Sequence, residues 1–317
     1  MNSFYRLKLS LLAVSAIAMS TTAFGQVDLS GTWAARMHQD WKDRIPGPDP
    51  VDYVAVPLND AGRERALLFD YSIQGQLEHQ CGYYTPFYQA IGPQGMKIWS
   101  ENDPVRGNQV IAWKISGFID IDSATIWMDG RPHPAQDDFH PFAGFTTGVW
   151  EGNVLVTHTT HMKAGYVRRN GTPSSDRATM TQFYVRHGDY LTILTSIEDP
   201  VYLSEPYVIS RTWQLNPQLT IAATASACEP ISEVPRFDVP GVVPHFLPGK
   251  NPFVNELSQH YNIPVQTVMG GAETMYPEYR KQLKDKYKRP EQCTRYCGQD
   301  ASLGLITDGS GKPGVER

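Results

Sequence analysis

Long apolar runs, a basic excess and the common cofactor motifs are all missing from this sequence, and each absence removes a class of function. Past Met19 no stretch approaches the roughly 20 apolar residues that a membrane-spanning helix needs, so no membrane span is expected. The formal net charge is −5, and the basic side chains are scattered apart from the Arg280–Arg289 run. Nucleic-acid binding draws on clustered basic surface, so no nucleic-acid partner is expected. There is no Gly-x-Gly-x-x-Gly after a strand, no phosphate loop with Gly-Lys-Ser/Thr, no Gly-x-Ser-x-Gly elbow and no His-Glu-x-x-His. Nicotinamide, ATP and serine-hydrolase chemistry are therefore disfavoured, and no nucleotide cofactor is expected.

Cysteine is scarce as well, at four residues. Their reading depends on compartment, which the N-terminus addresses. Arg6 and Lys8 precede the apolar run Leu9–Met19, and Ala23 and Gly25 come just before Gln26, the layout of a secretory signal peptide. Setting residues 1–25 aside removes two positive charges and takes the net charge from −5 to −7. The mature chain is expected to be periplasmic or secreted. In such a chain cysteines tend to be bridged. Cys293 and Cys297 lack the second Cys or His pair of a zinc site, which points to a local bridge and leaves Cys81 with Cys228, though the other two connectivities stay open.

What is present is β-strand periodicity. After Pro46, Gly47, Pro48 and Pro50 break regular structure, 59–69 reads as a short helix. From Gly95 onward apolar residues alternate with period two. The segments Lys97–Glu101, Val110–Ile115, Ala124–Met128, Thr146–Trp150, Val154–Thr160, Ala178–Arg186, Tyr190–Glu198, Tyr207–Leu215 and Leu219–Thr224 all fit, and turn residues such as Glu151-Gly152-Asn153 and His187-Gly188-Asp189 separate several of them. The pattern predicts an all-β, mostly antiparallel barrel over 26–228, because closure removes exposed edges. Recurrent prolines from Pro230 to Pro252 predict an irregular wrap over 229–297 that carries two short helices, Pro252–Tyr261 and Pro277–Lys288, followed by a disordered tail over 298–317. Gly31-Thr32-Trp33, at the entrance to the first strand, is similar to the Gly-x-Trp of lipocalin-like barrels, in which the Trp plugs one end.

The densest chemistry lies between Ile126 and His161, where four of the nine histidines fall: His133, His140, His158 and His161. Two readings compete. Imidazoles are common ligands for zinc, copper and iron, so His133, His158 and His161 could form a site for a divalent metal. Along one unbroken strand His158 and His161 face opposite ways, so this requires a bulge or the strand's end between them. The other reading is an acid–base site of His133, Asp129, Arg131 and His158, since a carboxylate can orient and poise an imidazole. Against both stands the plain alternative that the histidines bond loop backbone, that Asp129 serves a turn and that Arg131 pairs with a surface acid. Arg168 and Arg169 read as solvated hairpin residues. Trp127, Phe142, Trp150, Tyr83, Tyr84 and Tyr88 are candidate walls of a ligand site, although such aromatics more often seal a core.

Asp-Gly-Arg-Pro-His-Pro at 129–134, Gly-Val-Trp-Glu-Gly-Asn-Val-Leu-Val at 148–156, the Arg-Arg-Asn-Gly-x-Pro-x-Ser-Asp run at 168–176 and Gly-Gly-Ala-Glu-Thr-Met-Tyr-Pro-Glu-Tyr at 270–279 together resemble a family of exported, mostly uncharacterised bacterial proteins. The resemblance spans nearly all of the mature chain. It implies export and a β-rich body and brings no assigned reaction. The function expected is an enzyme acting on a small, partly apolar organic molecule at a barrel mouth, of lyase, hydrolase or isomerase type. The alternative is a lipocalin-like carrier of a hydrophobic small molecule.

Overall fold

The computed structural model describes residues 27–36, 48, 50–53, 56–70, 85–90, 95–117, 124–168, 170–221 and 245–283. The four cysteines, the signal-like segment, Tyr83, Tyr84, Arg169, all of 229–244 and the 298–317 tail lie outside them.

Nine strands close into a barrel: β1 (Gly31–Ala35), β2 (Met96–Asp103), β3 (Gln109–Ser116), β4 (Ala124–Trp127), β5 (Phe145–Glu151), β6 (Val154–Thr160), then β9 (Thr179–His187), β10 (Tyr190–Glu198) and β11 (Tyr207–Leu215). A separate pair, β7 (Gly165–Tyr166) and β8 (Pro173–Ser174), forms a small hairpin between β6 and β9. Around the ring β11 pairs with β1 and β1 with β2, so the first and last strands seal the barrel. The barrel is mostly antiparallel, as expected, with one exception. The sheet is mixed, because β4 and β5 run parallel. In a closed ring with an odd number of strands, up–down alternation has to fail once, and here it fails across residues 128–144, a connection long enough for a parallel crossover. Leu219–Thr224 was the remaining candidate strand; Leu219–Ile221 run as irregular chain after a turn at Asn216, and 222–224 lie outside the described residues.

The period-two pattern becomes two cores. Inward side chains Trp33, Ile98, Trp113, Ile126, Leu155, Tyr184, Leu191 and Trp213 fill the barrel. Trp33 is fully buried, donates its indole N–H to the Leu29 carbonyl at 3.1 Å and lies under the Arg186 guanidinium. This is the plugging position its Gly-x-Trp context predicts. The second core gathers Phe87 and Tyr88 of α2 (Pro86–Ala90) with Met162, Val167, Met180, Ile197, Tyr207 and Leu257. Because Met180, Ile197 and Tyr207 sit at the strand ends away from the 151–154 and 187–190 turns, this core stops the barrel at that end.

Helix α1 (Asp60–Leu67) has the expected place, and its N-cap Asn59 accepts from Gly62 N–H at 2.9 Å. The C-terminal part is helical as predicted, with α3 (Phe253–Tyr261), α4 (Val265–Val268), a 3-10 turn at Ala272–Met275 and α5 (Pro277–Leu283). Glu273 takes the helix-start role, accepting from Gly271 N–H at 3.2 Å. The Arg168–Asp176 motif is structural: contrary to expectation Arg168 is buried and donates to the Tyr207 hydroxyl at 2.9 Å, while Ser175 donates from backbone and hydroxyl to the Asp199 carboxylate, each at 2.7 Å.

Candidate functional site

The crossover over 128–144 organises the site. It leaves β4 at Trp127, beside Thr147 in the ladder, and re-enters the sheet at Phe145. Strand β6 runs antiparallel to β5 and pairs Thr147 with His158, so β6 delivers His158 and His161 to the level where the crossover lies. His161 has φ +56, a left-handed backbone that ends the strand's alternation. The strand's end therefore falls between His158 and His161, the condition required for both to approach one place.

Between the crossover and the facing chain lies a cleft of about 720 Å³. His133, Pro134, Asp137, Asp138 and His140 of the crossover line it together with Thr160 and His161 at the end of β6 and with Asp176, Arg177, Thr179 and Pro200. This volume is within the range of small-molecule sites. His133 contacts two hydroxyls: its Nδ1 is 2.7 Å from Thr160 Oγ1 and its Nε2 is 2.9 Å from Thr147 Oγ1. Thr160 Oγ1 is also 2.7 Å from His161 Nδ1, and His161 Nε2 is 2.7 Å from the Ala135 carbonyl. His140 Nδ1 lies 3.1 Å from the Met162 carbonyl. The rings form two tilted pairs, His133 with His158 at 5.4 Å and His140 with His161 at 5.0 Å. Burial, reinforced by the neighbouring His158 and His161, pushes the His133 imidazole below its ordinary value.

The structure brings His133, His158 and His161 together but leaves Asp129 and Arg131 apart from them. Arg131 Nε donates to Asp129 Oδ1 at 2.8 Å and Arg131 Nη2 to Oδ2 at 2.5 Å, and the guanidinium stacks 3.4 Å from the Trp127 ring centroid. The Arg131 guanidinium holds the Asp129 carboxyl well below the usual range, at about 2. The proposed Asp129–His133 dyad is thus replaced by an exposed ion pair that serves the turn. The site also lies outside the barrel rather than in its mouth. Thr146 and Thr159 point into the barrel, so their neighbours Thr147 and His158 point away from it.

Among the described residues the aromatic walls do not assemble. Tyr88 is buried in the second core, Trp150 packs against the barrel core, Trp127 lies beneath Arg131, and Phe142 rests at the surface with Lys163 Nζ 4.2 Å from its ring. None of them lines the cleft. The barrel interior leaves a cavity of about 40 Å³, bounded by Thr146, Thr159, Gln182 and Tyr184, which has room for a water or two and none for an organic ligand. The cleft residues that sequence reasoning passed over include Asp176, Arg177 and Thr160, and it passed over Thr147, which bonds His133 from outside the lining; nothing in a period-two pattern marks an outward threonine as the partner of a loop imidazole.

No metal set is assembled either. Among the described residues no group of three or more His, Cys, Asp or Glu side chains is placed to hold an ion. His133 and His161 each have both ring nitrogens within hydrogen-bond distance of protein oxygens, so as placed they do not form the predicted ligand trio with His158. No family model matches the chain, and neither does any curated protein or solved structure.

Proposed function

We propose that this chain is an exported enzyme, periplasmic or secreted, that performs acid–base chemistry on a small, partly apolar organic molecule in the cleft beneath the 128–144 crossover. The observation that carries the reading is the cleft itself, in which three imidazoles converge with carboxylates in a space of about 720 Å³. Imidazole is the side chain best suited to proton transfer near neutral pH. The lining has three carboxylates (Asp137, Asp138, Asp176) against one guanidinium (Arg177), which favours a neutral or cationic molecule over an anion, and Pro134, Ala178 and Pro200 supply apolar contact. Export rests on the N-terminal sequence, and membership of the exported family that the motifs resemble is part of the same proposal. The carrier alternative loses support from the filled barrel interior.

The test is exchange of carbon-bound hydrogen in D2O, followed by NMR, over a panel of small neutral and amino-substituted ketones and aldehydes with purified mature protein. Saturable exchange that disappears in Thr179→Trp, a substitution that fills the cleft, is the expected result. Exchange no faster than in buffer for every compound would sink the proposal.

A further inference from the structure

We infer that His140 is the proton-accepting residue of the cleft, whereas His133 and His161 are positioning residues that pin the crossover to the barrel. The inference rests on the acid–base reading above and deepens it. It follows from hydrogen-bond directions that two backbone carbonyls impose, since a carbonyl oxygen accepts and never donates.

The first of these carbonyls is that of Ala135, 2.7 Å from His161 Nε2, so that nitrogen carries the proton. In the neutral ring His161 Nδ1 then holds a lone pair, and the Thr160 hydroxyl 2.7 Å away must donate to it. That uses the one proton of Thr160. The 2.7 Å contact between Thr160 Oγ1 and His133 Nδ1 therefore has His133 donating. Neutral His133 is left with a lone pair on Nε2, which accepts from the Thr147 hydroxyl at 2.9 Å. The chain reads Thr147 to His133 to Thr160 to His161 to the Ala135 carbonyl, every donor pointing the same way. It ends at an oxygen that cannot take up a proton and pass it on. It is an anchor for the crossover, not a relay, and it consumes the lone pairs of both rings.

The second carbonyl is that of Met162, 3.1 Å from His140 Nδ1, so in His140 the proton is on Nδ1. Its Nε2 lone pair has no partner among the described residues, and His140 lines the cleft. His158, the remaining histidine of the cluster, is not part of the lining. Hence, among the histidines that line the cleft, His140 keeps the lone pair that no described residue takes up. In the step it performs, an X–H bond of the substrate breaks, the electron pair stays on the substrate, and the proton forms the Nε2–H bond of a His140 imidazolium whose Nδ1–H remains on Met162 O. Delivery of that proton to another substrate atom or to water restores the neutral ring.

The assignment is checked without a substrate by long-range 1H–15N spectra of the full chain labelled at histidine. His133 and His140 should carry the proton on Nδ1 and His161 on Nε2, and Thr160→Val should disturb His133 and His161 while sparing His140. Ethoxyformylation by diethyl pyrocarbonate requires a free imidazole lone pair, so peptide mapping should find His140 modified ahead of His133 and His161. The catalytic role is read in the D2O exchange assay with His140→Asn, whose side-chain amide keeps the donor to Met162 O and lacks the base. A fall of roughly 10²–10⁴-fold in exchange rate is expected. Modification of His133 or His161 ahead of His140, reversed tautomers, or full exchange in His140→Asn overturns the inference even if the protein is an enzyme. Correct tautomers with no exchange in the wild type overturn the enzyme reading, and the catalytic role of His140 with it.

Discussion

His133 shows how much one residue's surroundings can decide. Its imidazole is partly buried between Thr147, Thr160 and the Phe145 ring, and it faces His158. The lowered pKa means that on acidification the unfolded chain takes up a proton that the folded chain resists. Stability from this group is therefore complete above the ordinary histidine value of 6.5 and is lost as pH falls below it. Urea midpoints compared from about pH 8 down to about pH 5 should drop for the wild type, and His133→Asn should flatten that acid limb. An unchanged acid limb would mean that the ring titrates alike in both states. At this scale the sequence is partly legible: His133, His158 and His161 stand out as candidate partners by residue type, and the strand's end between His158 and His161 is the condition that the sequence reading set for them. For Asp129 and Arg131 the plainer of the two readings holds, because at the turn the carboxylate and the guanidinium bond each other.

Strands follow from alternation and turns from their residue types, which is why β5, β6, β9, β10 and β11 were legible within a residue or two. The β4–β5 pairing was not, since alternation states which face a residue occupies and says nothing about the direction of the neighbouring strand. What permits the crossover to rejoin the sheet is Gly144. It has φ +67, and a Cβ there would come within 2.7 Å of Met162 Cγ, 2.8 Å of the Thr160 carbonyl and 2.9 Å of Thr159 Cγ2. Backbone conformation and space both oppose a side chain at the point where the crossover passes the residues that carry the histidine anchor. Gly144→Ala should cost about 1–3 kcal/mol in chemical denaturation and shift the His133 and His161 resonances together. Wild-type stability in that variant would show that the crossover tolerates displacement.

Over the whole molecule, the barrel has given up its interior as a binding volume. A lipocalin-like carrier needs an open apolar cup, whereas here Trp33, Leu155, Leu191 and Trp213 fill the interior toward one end and the second core stops the end where α2 lies. Among the described residues, the larger space for a ligand lies where a loop stands away from the barrel wall. Small apolar molecules should therefore fail to bind the wild type, which benzene or xenon binding measured by NMR or calorimetry can check. Leu155 is fully buried and packs beside Gly148, where the wall has no side chain to relax into the gap. Leu155→Ala should cost about 2–5 kcal/mol and leave an apolar void that takes up those same probes. Hydrogen exchange at the cleft should persist in that variant, because the histidine anchor is built on the outward face of the same strand. Binding of an apolar probe inside the wild-type barrel, with a cleft that is catalytically silent, would reverse the assignment and make the interior, not the crossover, the functional part of the fold.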